Sequence, residues 1–343
     1  MENITELIML LSSLSGPSGH EDEVRGAIAE RARQYADEVK SDAMGNLFAV
    51  KRCGREGAPR VMLCAHMDEI GFIVTGYEKG CLRFERVGGV DARMLPAREI
   101  KLLTSPPVYG VVGVMPPHAL SKEEQDKTMA ADKLFIDVGF DEETVQKRVP
   151  LGTYGVYAEK PAALADGMLS GKALDNRSCC AVLLKVLESA AAEPICADLC
   201  FAFSVQEEVG LRGAVTAAYG AAPDYAIVTD VTFADQPDAP KSKTFKLGGG
   251  AALGVAPSLN RRLGAAIRAV AEKNNIPYQT EVMSGSLGTD AWPIQVSREG
   301  VATAMVSLPI RYMHTPIETL LVQDAENCVS LISQPLLDFE EVL

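Results

Sequence analysis

Histidine is scarce in this chain, four among 343 residues, and tryptophan occurs once. No two of the eight cysteines stand in Cys-x-x-Cys spacing, which excludes the usual structural zinc site. A His-Glu-x-x-His helix is missing, and Gly285-Ser286-Leu287-Gly288 lacks the spacing of a serine nucleophile elbow. Gly248-Gly249-Gly250 is not followed by Gly-Lys-Ser/Thr, so it reads as a turn and not as a phosphate loop. Basic residues are also in deficit: 33 Lys plus Arg against 46 Asp plus Glu leave a net charge of −13, the wrong sign for a nucleic-acid binder. The longest stretch without charge, 102–121, is broken by Pro106, Pro107, Pro116 and Pro117, which rules it out as a membrane span. Glu2 and Glu6 flank the short apolar run 7–11, where a secretory leader needs positive charge. The expected location is therefore the cytoplasm, and cysteines such as Cys64 and Cys200, set in apolar runs, read as reduced core thiols.

What is present points to two domains, since the length exceeds what one core usually fills. Ile4, Leu7, Ile8, Leu11 and Leu14 share one helical face, and Gly16-Pro17 ends that helix. Ser18 and Glu21 have capping-box spacing ahead of a second helix carrying Val24, Ile28, Ala32 and Tyr35. Short apolar runs at 61–65, 199–205, 225–228 and 302–308 read as strands buried on both faces, with helices at 176–192 and 263–274 among them. The expected fold is α/β: an open, mostly parallel sheet flanked by helices, built from 1–70 and 166–343. Residues 71–165 give β signals almost alone, including a hairpin through Glu78-Lys79-Gly80, and predict an inserted small β-rich domain.

The chemistry gathers at strand ends. His66 closes the run 61–65, with Asp68 two residues on, placed to accept from the second ring nitrogen of a metal-ligating imidazole. The adjacent carboxylates Glu207 and Glu208 follow 199–205 and repel each other unless a cation or a raised pKa relieves them. Asp230 follows 225–228, His314 follows 302–308, and Asp175 stands at a helix start. Singly, each has a plain alternative: a core histidine, a solvated loop pair, a turn residue, an N-cap. Jointly they lie along the carboxyl edge of an α/β sheet, where such folds bind ligands, and they supply imidazole and carboxylate donors suited to zinc, cobalt or manganese. Asp175, Glu208 and Asp230 together balance two divalent cations and one hydroxide, leaving Glu207 free to act as a base. His20 reads as an exposed first-turn residue, and His118 lies on a loop without an assignable role.

Five segments then resemble the M42 family of metallo-aminopeptidases, which includes glutamyl and leucyl aminopeptidases and members once labelled endoglucanase M. They are Ala65-His66-Met67-Asp68-Glu69-Ile70-Gly71, Ala173-Leu174-Asp175-Asn176-Arg177, Glu207-Glu208-Val209-Gly210, Gly288-Thr289-Asp290-Ala291 and Arg311-Tyr312-Met313-His314-Thr315-Pro316-Ile317-Glu318. The resemblance runs in order over nearly the whole chain. It implies two divalent metal ions per subunit bridged by Asp175, with His66 and Glu208 completing one site and Asp230 and His314 the other. It further implies Asp68 orienting His66, Glu207 as general base, and a water bridging the ions as nucleophile. Substrates would be short peptides with a free N-terminus. The inserted domain would serve as lid and dimerisation surface, with dimers assembling into tetrahedral dodecamers. The segments 284–287 and 252–260 depart from the family pattern and are expected to reshape the substrate pocket. A metal-dependent deacylase or carboxypeptidase on the same scaffold is the alternative, followed by a glycoside hydrolase, which needs paired carboxylates but no metal.

Overall fold

The computed structural model describes residues 3–119, 121, 122 and 131–337. At its centre lies the strand Arg60–His66, whose side chains from Val61 on are all buried because elements cover both faces of the sheet. It pairs in parallel with Asp198–Ser204 on one side and Tyr225–Phe233 on the other, and Tyr225–Phe233 pairs in parallel with Ala302–Arg311. These four strands form the parallel heart of an 11-stranded sheet.

The rest of that sheet corrects the expectation of a mostly parallel one. Glu38–Ser41, Leu47–Lys51, Glu318–Leu321, Met168–Gly171 and Ala162–Ala163 add antiparallel ladders at both edges, so that six of the ten ladders among the described residues are antiparallel and four parallel. These edge strands are two to five residues long and mostly part-exposed, so they lack the long apolar run that marks a strand buried on both faces.

One face of the sheet is packed by Ile4–Ser13, Asp22–Ala32, Leu174–Ala192 and Val322–Leu337, whose apolar sides merge with it in one core. The opposite face packs Arg212–Ala221 and Ala291–Ile294 against Met62, Cys64, Val228 and Met305. All eight thiols are free, and Cys64, Cys179, Cys180 and Cys328 are fully buried. No described helix is long and apolar enough to cross a membrane.

The capping-box expectation at Ser18 and Glu21 fails. The second helix begins at Asp22 with no side-chain cap, because Ser18 Oγ instead donates to Asp68 Oδ2 at 2.6 Å and Glu21 accepts from the Gly19 amide at 2.6 Å. The demand of a buried carboxylate outweighs a helix cap here.

Between His66 and Ala162 the chain leaves the sheet and closes a six-stranded antiparallel barrel: Gly71–Glu78, Cys81–Val87, Phe135–Asp137, Val108–Gly113, Glu99–Leu102 and Tyr154–Tyr157 in spatial order. The barrel has its own core, in which Phe72 meets Phe84 and Tyr157 edge to face. Its first hairpin turns on Lys79 and Gly80, both at positive φ (54° and 83°), as a two-residue turn between twisted strands requires. His118 is exposed in a short helical turn, Pro117–Ala119.

Candidate metal centre

The parallel register sets the site. His66 ends its strand and Asp230 lies within Tyr225–Phe233, not after it, because that strand runs five residues beyond the apolar stretch. Glu207 and Glu208 follow Asp198–Ser204, and His314 comes three residues after Ala302–Arg311. From the covering helix comes Asp175, whose extended backbone (φ −78°, ψ 103°) turns its carboxylate out of the first turn toward the sheet edge.

Six side chains thus converge on one cavity, which they line with Gly89, Gly210 and Gly288. Asp175 Oδ1 lies 3.1 Å from His66 Nε2, and Asp175 Oδ2 lies 3.3 Å from His314 Nε2. The two oxygens of one carboxylate therefore face two different histidines. Asp230 Oδ1 stands 3.7 Å from His66 Nε2, and Glu208 Oε1 stands 3.3 Å from His314 Nε2. This grouping of side chains differs from the pairing that the resemblance implies. His66 goes with Asp230, its neighbour across the sheet, and His314 goes with Glu208, which the loop after Ser204 carries to the far side.

The donor chemistry fits metal ions. Three overlapping groups, His66/Asp175/Asp230, Asp175/Glu208/His314 and His66/Glu207/Glu208, each bring their ligand atoms within 4.8 Å of one another. Imidazole nitrogen and carboxylate oxygen are the donor set of zinc and of related first-row ions. Crowding shows in the acidities. Burial, with Asp230, Asp290 and Asp175 nearby, pushes the Glu207 carboxyl up to about 10 against the pull of His66. Burial likewise raises Asp230 and Glu208. Burial opposes protonation of His314, yet Asp175 and Glu208 lift it to about 11. Burial also disfavours the Asp175 anion, but the two imidazoles hold its carboxyl below the usual range. So many buried carboxylates cannot all ionise unless cations sit among them.

Asp68 does more than face the ring of His66, whose Nδ1 is 3.4 Å from Asp68 Oδ1. It also accepts from the amides of Glu207 (3.0 Å) and Glu208 (3.2 Å), tying the two acidic residues to the strand that carries His66. Sequence reasoning missed Glu318, although it stands four residues after His314. Buried, it accepts from the amide of Asp175 at 3.0 Å and from the amide of His314 at 2.8 Å, so it holds the backbones of two of the converging residues. It missed Asp290 as well, which is buried behind Glu207 and accepts from the hydroxyl of Ser204. The barrel touches the centre through Gly89: a Cβ there would lie 2.4 Å from His314 Nδ1, so only glycine lets the ring sit against this loop. Of the two departing segments, 284–287 borders the neighbouring pocket through Leu287, whereas 252–260 lines a separate cavity away from the metal centre.

Glu21, beneath Asp68, gives a pH test of this packing. Burial, aided by the Asp68 charge and opposed by the Gly19 amide, pushes its carboxyl from the ordinary 4.5 up to about 7. The folded chain holds this proton more tightly than the unfolded chain, so the stabilisation is complete below pH 4.5 and is lost as pH rises through 7. The loss amounts to at most roughly 3 kcal/mol. Glu21→Gln is expected to flatten this part of the pH profile, measured as melting temperature at pH 5.5 and 8.5. Equal slopes for the two proteins would reject it.

The family model described as M42 glutamyl aminopeptidase matches residues 45–331. Lysyl aminopeptidase from Pyrococcus furiosus is 37% identical, with 95% of this chain and 94% of that protein covered. An aminopeptidase from the archaeon Desulfurococcus kamchatkensis has the same fold at a TM-score of 0.91 and 36% identity, covering 99% of this chain and 96% of the other. The TET1 peptidase of Pyrococcus horikoshii, described as assembling into a tetrahedron or a large octahedral shell, follows at 0.86 and 33%, with 97% and 99% covered. With the family model spanning most of its length and these relatives aligned nearly end to end, the chain belongs to the M42 family of metallopeptidases and is a peptide hydrolase of the aminopeptidase kind.

Proposed function

We propose that this chain removes the N-terminal residue from short peptides at a two-cation centre. Asp175 would bridge the ions, His66 and Asp230 would complete one site, and His314 and Glu208 the other. The observation that carries this reading is the division of the Asp175 oxygens between the two histidines. When bound, such a pair of ions lowers the pKa of a coordinated water and polarises the scissile carbonyl.

The chain's own residues supply the rest. Glu207 is the base: it accepts a proton from the attacking water and returns it to the departing amine. A part-buried carboxylate 4.0 Å from His66 Nε2, ionised once cations offset the neighbouring acids, is placed for both transfers. Asp68 holds the Glu207 backbone and faces the His66 ring, and Glu318 keeps Asp175 and His314 in register. Zinc or cobalt suits the donors best, with manganese next. Self-association is part of the proposal: the barrel would act as lid and dimer surface, and dimers would build a tetrahedral dodecamer, as the tetrahedral assembly of the TET1 relative suggests.

The test joins metal analysis to a substrate comparison. Purified protein is expected to carry two divalent ions per chain, to lose activity in chelator and regain it on metal addition, and to cleave a tripeptide with a free but not an acetylated N-terminus. Cleavage of the acetylated peptide would favour the deacylase or carboxypeptidase reading. Cleavage of a glycoside in chelator would favour the glycosidase.

A further inference from the structure

A second cavity, about 660 Å³, adjoins the metal centre, and Val231, Gly288, Thr289 and Met313 line both. Its size is that of a small-molecule site. The wall is mixed, with Val231, Phe245, Met283, Leu287 and Met305 forming its apolar part. Three ionisable side chains line it among the described residues. Lys241 and Lys243 are exposed at the rim, whereas Glu281 is part-buried in the wall.

Glu281 is held in a fixed pose. Its Oε1 accepts from Thr232 Oγ1 and its Oε2 from Ser307 Oγ, each at 2.6 Å. Ser307 is the register partner of Asp230, and Thr232 is two residues further along the same strand, so the carboxylate is anchored beside a proposed metal ligand. An ionised carboxylate has about four acceptor positions, and the two hydroxyls use two. Burial raises the Glu281 carboxyl and the two hydroxyls draw it back. A cation arriving in the pocket would favour the charged form further.

We infer that this cavity receives the side chain of the N-terminal residue and that Glu281 selects a long basic one, lysine or arginine. The inference rests on the aminopeptidase reading and deepens it. A peptide held with its first carbonyl at the metal centre has one side chain next to that carbonyl, and the adjoining cavity is where it can go. The apolar part of the wall accommodates the methylene stem, and the ammonium or guanidinium meets the carboxylate. An acidic side chain would meet Glu281 as a like charge. An uncharged stem of equal length would fill the walls yet leave the acceptor positions of Glu281 without a partner.

The experiment compares L-lysyl with L-norleucyl 7-amido-4-methylcoumarin on the metal-loaded enzyme, since the two differ chiefly by the terminal ammonium. The kcat/KM ratio is expected to favour lysyl by roughly 10- to 100-fold, the scale of one charge-assisted hydrogen bond. In Glu281→Gln the ratio is expected to fall to about threefold or less, on that same scale. Lysinamide is expected to inhibit the unmodified enzyme more tightly than norleucinamide, a measurement that needs no variant. Equal ratios or equal inhibition in the unmodified enzyme, or an unchanged ratio in a folded Glu281→Gln, would overturn the assignment of Glu281 while leaving the aminopeptidase intact. Failure to cleave either substrate, with a free-N-terminus peptide panel also inert, would instead remove the aminopeptidase reading itself.

Discussion

Glu207→Gln is expected to lower kcat by about 10² to 10⁴ while the protein keeps its fold and its metal. Glutamine has the shape of glutamate, and the backbone of residue 207 stays pinned by its amide bond to Asp68 Oδ1 at 3.0 Å. What disappears is a group able to take a proton and give it back. Metal content is the decisive companion measurement, because Glu207 also belongs to one of the three candidate donor groups, with His66 and Glu208. If Glu207 is a ligand, the variant should bind fewer than two ions and recover activity in excess metal. If it is the base, metal content should match the unmodified protein and excess metal should restore nothing. Glu208→Gln supplies the contrast, since Glu208 faces His314 at 3.3 Å and its loss should appear first as lost metal. Near-normal turnover in a fully loaded Glu207→Gln would end the assignment of the base.

Much of this centre was legible because buried strands announce themselves. Apolar runs at 61–65 and 199–205 locate a sheet edge, and a histidine or acidic pair just beyond such a run stands where open α/β sheets bind ligands. The antiparallel edge was not legible: residues 318–321 and 168–171 pair as four-residue strands, too short to show a run or an alternation in the sequence. The grouping of these side chains was hidden as well. Chain order says that His66 precedes Glu208, but only the register of neighbouring strands puts Asp230 beside His66. Ser18 and Glu21 had the right spacing for a cap and the wrong surroundings, since Asp68, 50 residues away, claims the hydroxyl. Glu318, Glu281 and Glu69 look in the sequence like any solvated acid. Each becomes notable only when the fold withdraws it from water and supplies distant donors.

Glu69→Gln is the substitution expected to cost most in stability, about 3–5 kcal/mol. Glu69 is 2% exposed and faces two buried cations, Lys172 Nζ at 2.7 Å and Arg177 Nη2 at 3.4 Å. Both cations also serve the backbone. Arg177 donates to the carbonyls of Leu11 (2.9 Å), Gly16 (3.3 Å) and Met67 (2.5 Å), and Lys172 donates to that of Leu14 at 2.7 Å. They thereby cap the carboxyl end of Ile4–Ser13 and tie it to the residue after His66. A neutral glutamine keeps the shape and the bond from the Gly16 amide but leaves two positive charges facing each other out of water. Burial already works to lower Lys172, so this variant should shed its proton more readily still. Urea unfolding should show the loss as an earlier midpoint. Glu69→Met combined with Lys172→Met should recover a large part of it, because Arg177 keeps its carbonyl partners while the unpaired ammonium is gone. If Glu69→Gln and the double variant unfold at the same urea concentration as the unmodified chain, the buried charges contribute nothing net and the N-terminal helix is held by its apolar face alone.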